Sequence, residues 1–371
     1  MKYTEASTSF RSLFWLIPLL LIGHQGEGFS KSNTESPLSR AASVELSDNS
    51  NNILILDHLN INHEKGRHDW LKAFYVDFLQ CALDPRKIDN VASGKKTLWC
   101  NIGANQFHLP EGKPDAQVLD GIITLVYPDI PKLMERLESA KSSLEGSMFR
   151  VKSESEEGVL VLDPWGSTFN LLGGEASMDL DSRGRQPGET SEGLAMRDLK
   201  IHIPSNSNLG GIGRFYERVL GATVKNANDD SVTIQVGPSQ TLTFQENSHT
   251  TIDSHVDLRD EDTTDSEEHP KYLSNYGPHV SMYVKDLPSS YKKADAMNLA
   301  YVNPRFSRRA YTLEEAVDDC MFRCLEIVDP DNAQHGPIVK LEHEVRSVVR
   351  RDGSKYKSCP FDEIPAGCTT L

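Results

Sequence analysis

A histidine ends the apolar run of ILILDHLNINH (residues 53–63), and apolar and polar residues then alternate through Leu59, Asn60, Ile61 and Asn62. An imidazole so placed serves as a metal ligand, as a general base, or as a hydrogen-bonded strand residue. These residues alone leave His58 open to all three. His108, in NQFHLPEG, reads either as a polar group lining a cleft or as a strand-edge histidine before a Pro/Gly turn. RFSRRAYTLEE (305–315) offers Arg305, Arg308 and Arg309 as anion contacts or as a solvated basic loop. GGIGRFY (210–216) lacks the G-x-G-x-x-G spacing of a phosphate turn and reads as the flexible entry to a helix. No Ser/His/Asp or Cys/His nucleophile pattern is present. The six cysteines (81, 100, 320, 324, 359, 368) form no CxxC pair and no zinc-like spacing. Cys359 and Cys368 flank a Pro/Gly-rich tail that an oxidising compartment could close; the other four read as buried thiols.

The elements that must position these groups come from an internal repeat. DWLKAFYVDFLQCAL (69–83) matches GIGRFYERVLGATV (211–224), with Phe74, Tyr75 and Leu79 at the offsets of Phe215, Tyr216 and Leu220. A short apolar strand precedes each, LDHLNINH (56–63) and MRDLKIHIP (196–204). Two strands follow each, and then GIITLVYPDIPKLMERLESA (121–140) or HVSMYVKDLPSSYKKADA (279–296). Each copy ends strand, Asp-Pro turn, strand, at 163–164 and 329–330. Leu133, Met134, Leu137 and Ala140 lie at helical spacing, and Pro131 suits a first helical turn. The repeat therefore predicts an α+β protein of two similar halves facing one another.

The motifs Leu56-Asp57-His58-Leu59, Phe215 to Gly221 (FYERVLG), His279 to Asp286 (HVSMYVKD) and Asp163-Pro164-Trp165-Gly166 together resemble the vicinal oxygen chelate superfamily of glyoxalases, extradiol dioxygenases and bleomycin-resistance proteins. The resemblance spans most of 53–346. It implies two tandem βαβββ modules whose curved sheets enclose a cleft. It also implies a small oxygenated metabolite as ligand, and a divalent metal acting as Lewis acid in a lyase, isomerase or dioxygenase. Carried over, it places ligands at His58, Asp198, His279 and Glu342. Where a carboxylate is usual, the repeat alignment puts Asn170 and Lys340, and Lys340 could pair with Asp198 in place of a metal. Those substitutions support the alternative, a metal-free small-molecule binding protein of resistance or sequestration type.

The totals limit partners. Fifty-four acidic against 39 basic residues give 371 residues a net charge of -15, a poor surface for nucleic acid or anionic membrane. Residues 1–28 read as a signal peptide, with an apolar core from Leu13 to Ile22 and small residues at Gly23, Gly26 and Gly28. Residues 29–52 read as a disordered linker or transit segment, so the expected destination is the secretory route or a plastid reached by a bipartite leader. The first module spans 53–172, a linker 173–193, the second module 194–346 with an acidic insert at 253–270, and a tail 347–371. No later apolar run is long enough to span a membrane.

Overall fold

A computed structural model describes residues 51–85, 97–112, 115–175, 190–259, 273–308 and 310–370. The signal peptide, most of segment 29–52, most of the linker and much of the acidic insert lie outside the described residues, as does Arg309. Asn49–Leu371 forms one compact unit. No helix among the described residues is long and apolar enough to cross a membrane.

Each repeat consists of two βαβββ units, so the chain holds four. The first comprises β1 (Ile53–Asn60), α1 (His68–Leu71, continued by a π-helical stretch Lys72–Phe78), β2 (Ala82–Leu83), β3 (Thr97–Ile102) and β4 (Asn105–Pro110). The second is β5 (Gly121–Tyr127), α2 (Ile130–Met134), α3 (Leu137–Ser143), β6 (Arg150–Ser155), β7 (Gly158–Leu162) and β8 (Thr168–Gly173). The third is β9 (Ala195–Pro204), α4 (Leu209–Arg218), β10 (Thr223–Ala227), β11 (Ser231–Gly237) and β12 (Gln240–Asn247). The fourth is β13 (His279–Val284), α5 (Leu287–Ala296), β14 (Ala300–Tyr301), α6 (Leu313–Asp319), β15 (Met321–Val328) and β16 (Pro337–Ser347).

The helices start where the sequence signals them. Asp129 accepts a hydrogen bond from Lys132 N, Asp286 from Ser289 N, and Asn208 from Gly211 N, each satisfying an amide of a first turn. The helical spacing over 130–143 is split by a break at Glu135 and Arg136, yet Leu133, Leu137 and Ala140 all reach the core.

Units pair across the repeats. Sheet I has the order β14-β15-β16-β13-β1-β4-β3-β2, and sheet II the order β10-β11-β12-β9-β5-β8-β7-β6. Sheet I thus joins the first and fourth units along an antiparallel β1/β13 seam, and sheet II joins the second and third along β5/β9. The two sheets share one apolar core, to which sheet I gives Leu59, Phe107, Val280, Met282 and Val345 and sheet II Ile123, Leu171, Leu199 and Ile201. Alternation then turns the other face of each seam toward a polar site.

A bulge in each first strand sets which residues face that site. Register slips between Leu56 and His58 in β1, and opposite Met196 and Asp198 in β9. Leu56 and Leu59 therefore both reach the core although three residues apart, and so do Met196 and Leu199. The backbone groups freed by the bulges are satisfied by two side chains, one from the first unit and one from the third, each bridging both bulges. Asn105 donates to Leu56 O and accepts from Met196 N, while Gln240 accepts from Leu56 N and donates to Met196 O. No disulfide joins any of the cysteines among the described residues.

Candidate functional site

On the polar face of sheet I the first strand delivers His58 and Asn60, β13 delivers His279 and Ser281, and β16 delivers Glu342 and Glu344. Register pairs His58 with Ser281 and Asn60 with His279 across the seam, and Ser281 with Glu344 beyond it. One donor atom from each of His58, His279 and Glu344 lies within 4.8 Å of the others, and all three residues are buried. Among the described residues this is the only group of three or more such side chains close enough to share an ion. The bulge also buries Asp57, whose carboxylate accepts a hydrogen bond of 2.8 Å from His58 Nδ1. In the neutral ring that bond keeps the proton on Nδ1 and the lone pair on Nε2.

His108, from β4, stacks on His58 at 3.7 Å between ring centroids, and Trp99 from β3 stacks on His108 at 4.2 Å. Burial and the neighbouring His58 hold His108 well below the ordinary histidine range. Burial and Arg323 do the same to His279. Both rings are therefore neutral at physiological pH.

Two arginines complete the face. Arg323, on β15, donates to Glu342 Oε1 and Glu344 Oε2, and Arg346, on β16, donates to Glu344 Oε1. Glu342 also accepts from Asn275 at 2.6 Å and Asn303 at 3.0 Å. Burial alone would raise the Glu344 carboxyl, but Arg323 and Arg346 hold it well below the usual range. A cavity of about 390 Å³ opens onto this array, lined by His279, Glu344, Arg323 and Arg346 together with Trp99, His108 and the segment Arg305 to Arg308.

The sequence-derived residues separate into two sheets. His58, His279 and His108 come together on sheet I. Glu342 adjoins them, but its carboxylate serves Arg323, Asn275 and Asn303, and Glu344 takes the third position of the cluster. Asp198 and Asn170 share sheet II, where Thr124 pairs with both. Asp198 accepts from Thr241 at 2.6 Å and Thr243 at 2.9 Å, and burial raises its carboxyl despite those bonds. It thus stands in a different sheet from His58 and His279, so the four proposed ligands do not form one set. Lys340 joins neither centre and pairs instead with Asp253 at 2.9 Å.

Sequence alignment matched Asn170 with Lys340, whereas register matches it with Glu344, because Thr124 pairs with Asn170 as Ser281 pairs with Glu344. The four-residue offset arises because β16 has 11 residues and β8 six. The signal that could have found Glu344 is the i, i+2 pair in LEHEV, which puts both carboxylates on one strand face. Arg323 carried no such signal.

The His-His-Glu cluster matches a divalent cation in donor type, with His279 neutral. Its single carboxylate does not. Both Glu344 oxygens already accept guanidinium hydrogens, and two positive charges in contact with that carboxylate oppose a third. As arranged, the residues do not fit a metal ion.

No protein-family model and no curated protein matches the sequence. Among solved structures the chain is similar to a glyoxalase I variant from Zea mays, at 12% identity and TM-score 0.47 over 80% of this chain and 94% of that one. It is also similar to the cppA protein of Streptococcus pneumoniae, at 11% and 0.36 over 80% and 100%, and to the 2,3-dioxygenase LapB of Pseudomonas sp. KL28, at 11% and 0.27 over 82% and 94%. Likenesses at these identities and TM-scores carry no argument about this chain. Four βαβββ units are paired along two antiparallel seams, the α+β arrangement of two similar halves that the internal repeat predicts.

Proposed function

We propose that the protein binds a small oxygenated metabolite in the cavity of sheet I, and that it does so without a metal. The observation that supports this is the commitment of both Glu344 oxygens to Arg323 and Arg346. In this reading guanidinium groups supply the positive charge that a metal would supply, and the neutral His108 and His279 give the ligand hydrogen-bonding partners. Elemental analysis of the purified full chain tests it. The expected result is well under one equivalent of iron, manganese, cobalt, nickel or zinc, and no thermal stabilisation by these ions. Stoichiometric metal that is lost in His58→Ala and in His279→Ala would overturn the reading.

A second reading, a metal-dependent lyase, isomerase or dioxygenase, is favoured by a specific observation. Ser281 Oγ is buried beside His58 and Glu344 with no hydrogen-bond partner among the described residues, and Asp57 orients His58 as the outer partner of a metal-bound histidine would. It requires Glu344 to leave both arginines. The same metal analysis distinguishes the two.

A further inference from the structure

The sheet I cavity is lined by four arginines and one glutamate. Arg323 and Arg346 are paired with that glutamate. Arg305 and Arg308 are not paired with any carboxylate among the described residues. Arg305 donates one Nη1 bond to Asn275 O at 3.1 Å and lies 4.0 Å from the Tyr276 ring centroid. Arg308 donates one Nη1 bond to Asp319 O at 3.3 Å and faces the Tyr356 ring at 5.0 Å. Two half-buried guanidinium groups thus meet one cavity with most of their donors uncommitted. Glu342 and Asp257 lie near enough to favour the charge on Arg305, but neither is hydrogen-bonded to its guanidinium among the described residues.

We propose that the cavity takes an organic oxyanion, a carboxylate or a phosphate monoester, whose charged group is held by Arg305 and Arg308 while its body lies between Trp99–His108 and Phe306. The volume of about 390 Å³ suits a small molecule, and the planar guanidinium fork suits either oxyanion in bidentate fashion. Burial lowers the proton affinity of Arg305, the cost an anionic partner would offset. The inference rests on the metal-free reading, since a bound cation would itself recruit the anion toward Glu344.

Calorimetric titration of the full chain with benzoate, phenyl phosphate, inorganic phosphate and neutral benzamide tests it, with metal content measured on the same sample. The expected result is saturable 1:1 binding of benzoate or phenyl phosphate, whichever is tighter identifying the oxyanion, and at least ten-fold weaker binding of benzamide. Arg305→Gln and Arg308→Gln should each weaken the anion about ten-fold with an unchanged melting temperature, and Arg218→Gln, on a surface pair with Asp331, should not. Equal affinity for benzamide, inorganic phosphate as tight as phenyl phosphate, unchanged affinity in both cavity variants, or no binding by a folded protein would overturn it. Stoichiometric metal together with arginine-dependent anion binding would instead sink the metal-free reading alone.

Discussion

The polar faces of sheets I and II are built on one backbone plan and do opposite things with it. Both have a bulged first strand, a seam of two central strands, and a polar residue two places past the slip: His58 in one, Asp198 in the other. On sheet I the segments around Asn275 and Asn303 supply partners and the face is buried, so its charges must be paired: Glu342, Glu344, Arg323 and Arg346 form a closed network. On sheet II the equivalent places hold Thr124 and Asn170, with Asp198 half-buried and held by two threonine hydroxyls. A shared fold thus fixes where a centre can form. The covering segments decide whether charge there is sealed or left near water.

The largest test of that contrast is Arg323→Ala. It leaves two buried carboxylates short of their cation and should cost about 3–5 kcal/mol of stability in urea unfolding. A cost no greater than that of Asp198→Ala would remove the distinction between the faces.

Acid offers the next largest effect. His343, buried beneath sheet I between Tyr216 and Leu341 O, and His63 are both lowered from 6.5 to about 4, chiefly by burial. Between those values the unfolded chain binds more protons than the folded one. Stability therefore falls as pH drops from about 6.5 to 4, by at most about 3 kcal/mol per histidine. Glu344, lowered in the fold, acts in the same direction further into acid. Equal stability by urea titration at pH 7 and pH 4.5 would contradict this.

Asp198→Ala should cost only about 1 kcal/mol, since it frees two hydroxyls near water; a loss as large as that of Arg323→Ala would show sheet II to be sealed as well. Smallest of all is Lys340→Ala, whose partner Asp253 is 64% exposed. Its effect on melting should stay within about 0.5 kcal/mol, and a larger loss would return Lys340 to a working centre.

Much of this was legible in the chain. The repeat, the helix start at Pro131 and the match of Leu56-Asp57-His58-Leu59 with Met196-Arg197-Asp198-Leu199 all come from local chemistry. So His58 and His279 could be singled out from their strand positions. The registers of β8 and β16 could not be, because the two strands differ in length and a slip leaves the apolar pattern intact. That is why Glu342 and Lys340 stood where Glu344 belongs. Arg305 and Arg308 read equally as a solvated loop, since nothing local says that a loop folds over a sheet.

The sequence by itself determined an α+β protein of two repeated halves and singled out His58 and His279, which lie on β1 and β13, because helix starts, turns and strand alternation are short-range effects. Only the tertiary structure decided that the first unit pairs with the fourth, which separates Asp198 and Asn170 from His58 and brings Glu344 and two arginines to it. That pairing depends on which strand edges meet across more than two hundred residues, a choice made by burial of the whole core rather than by any local signal.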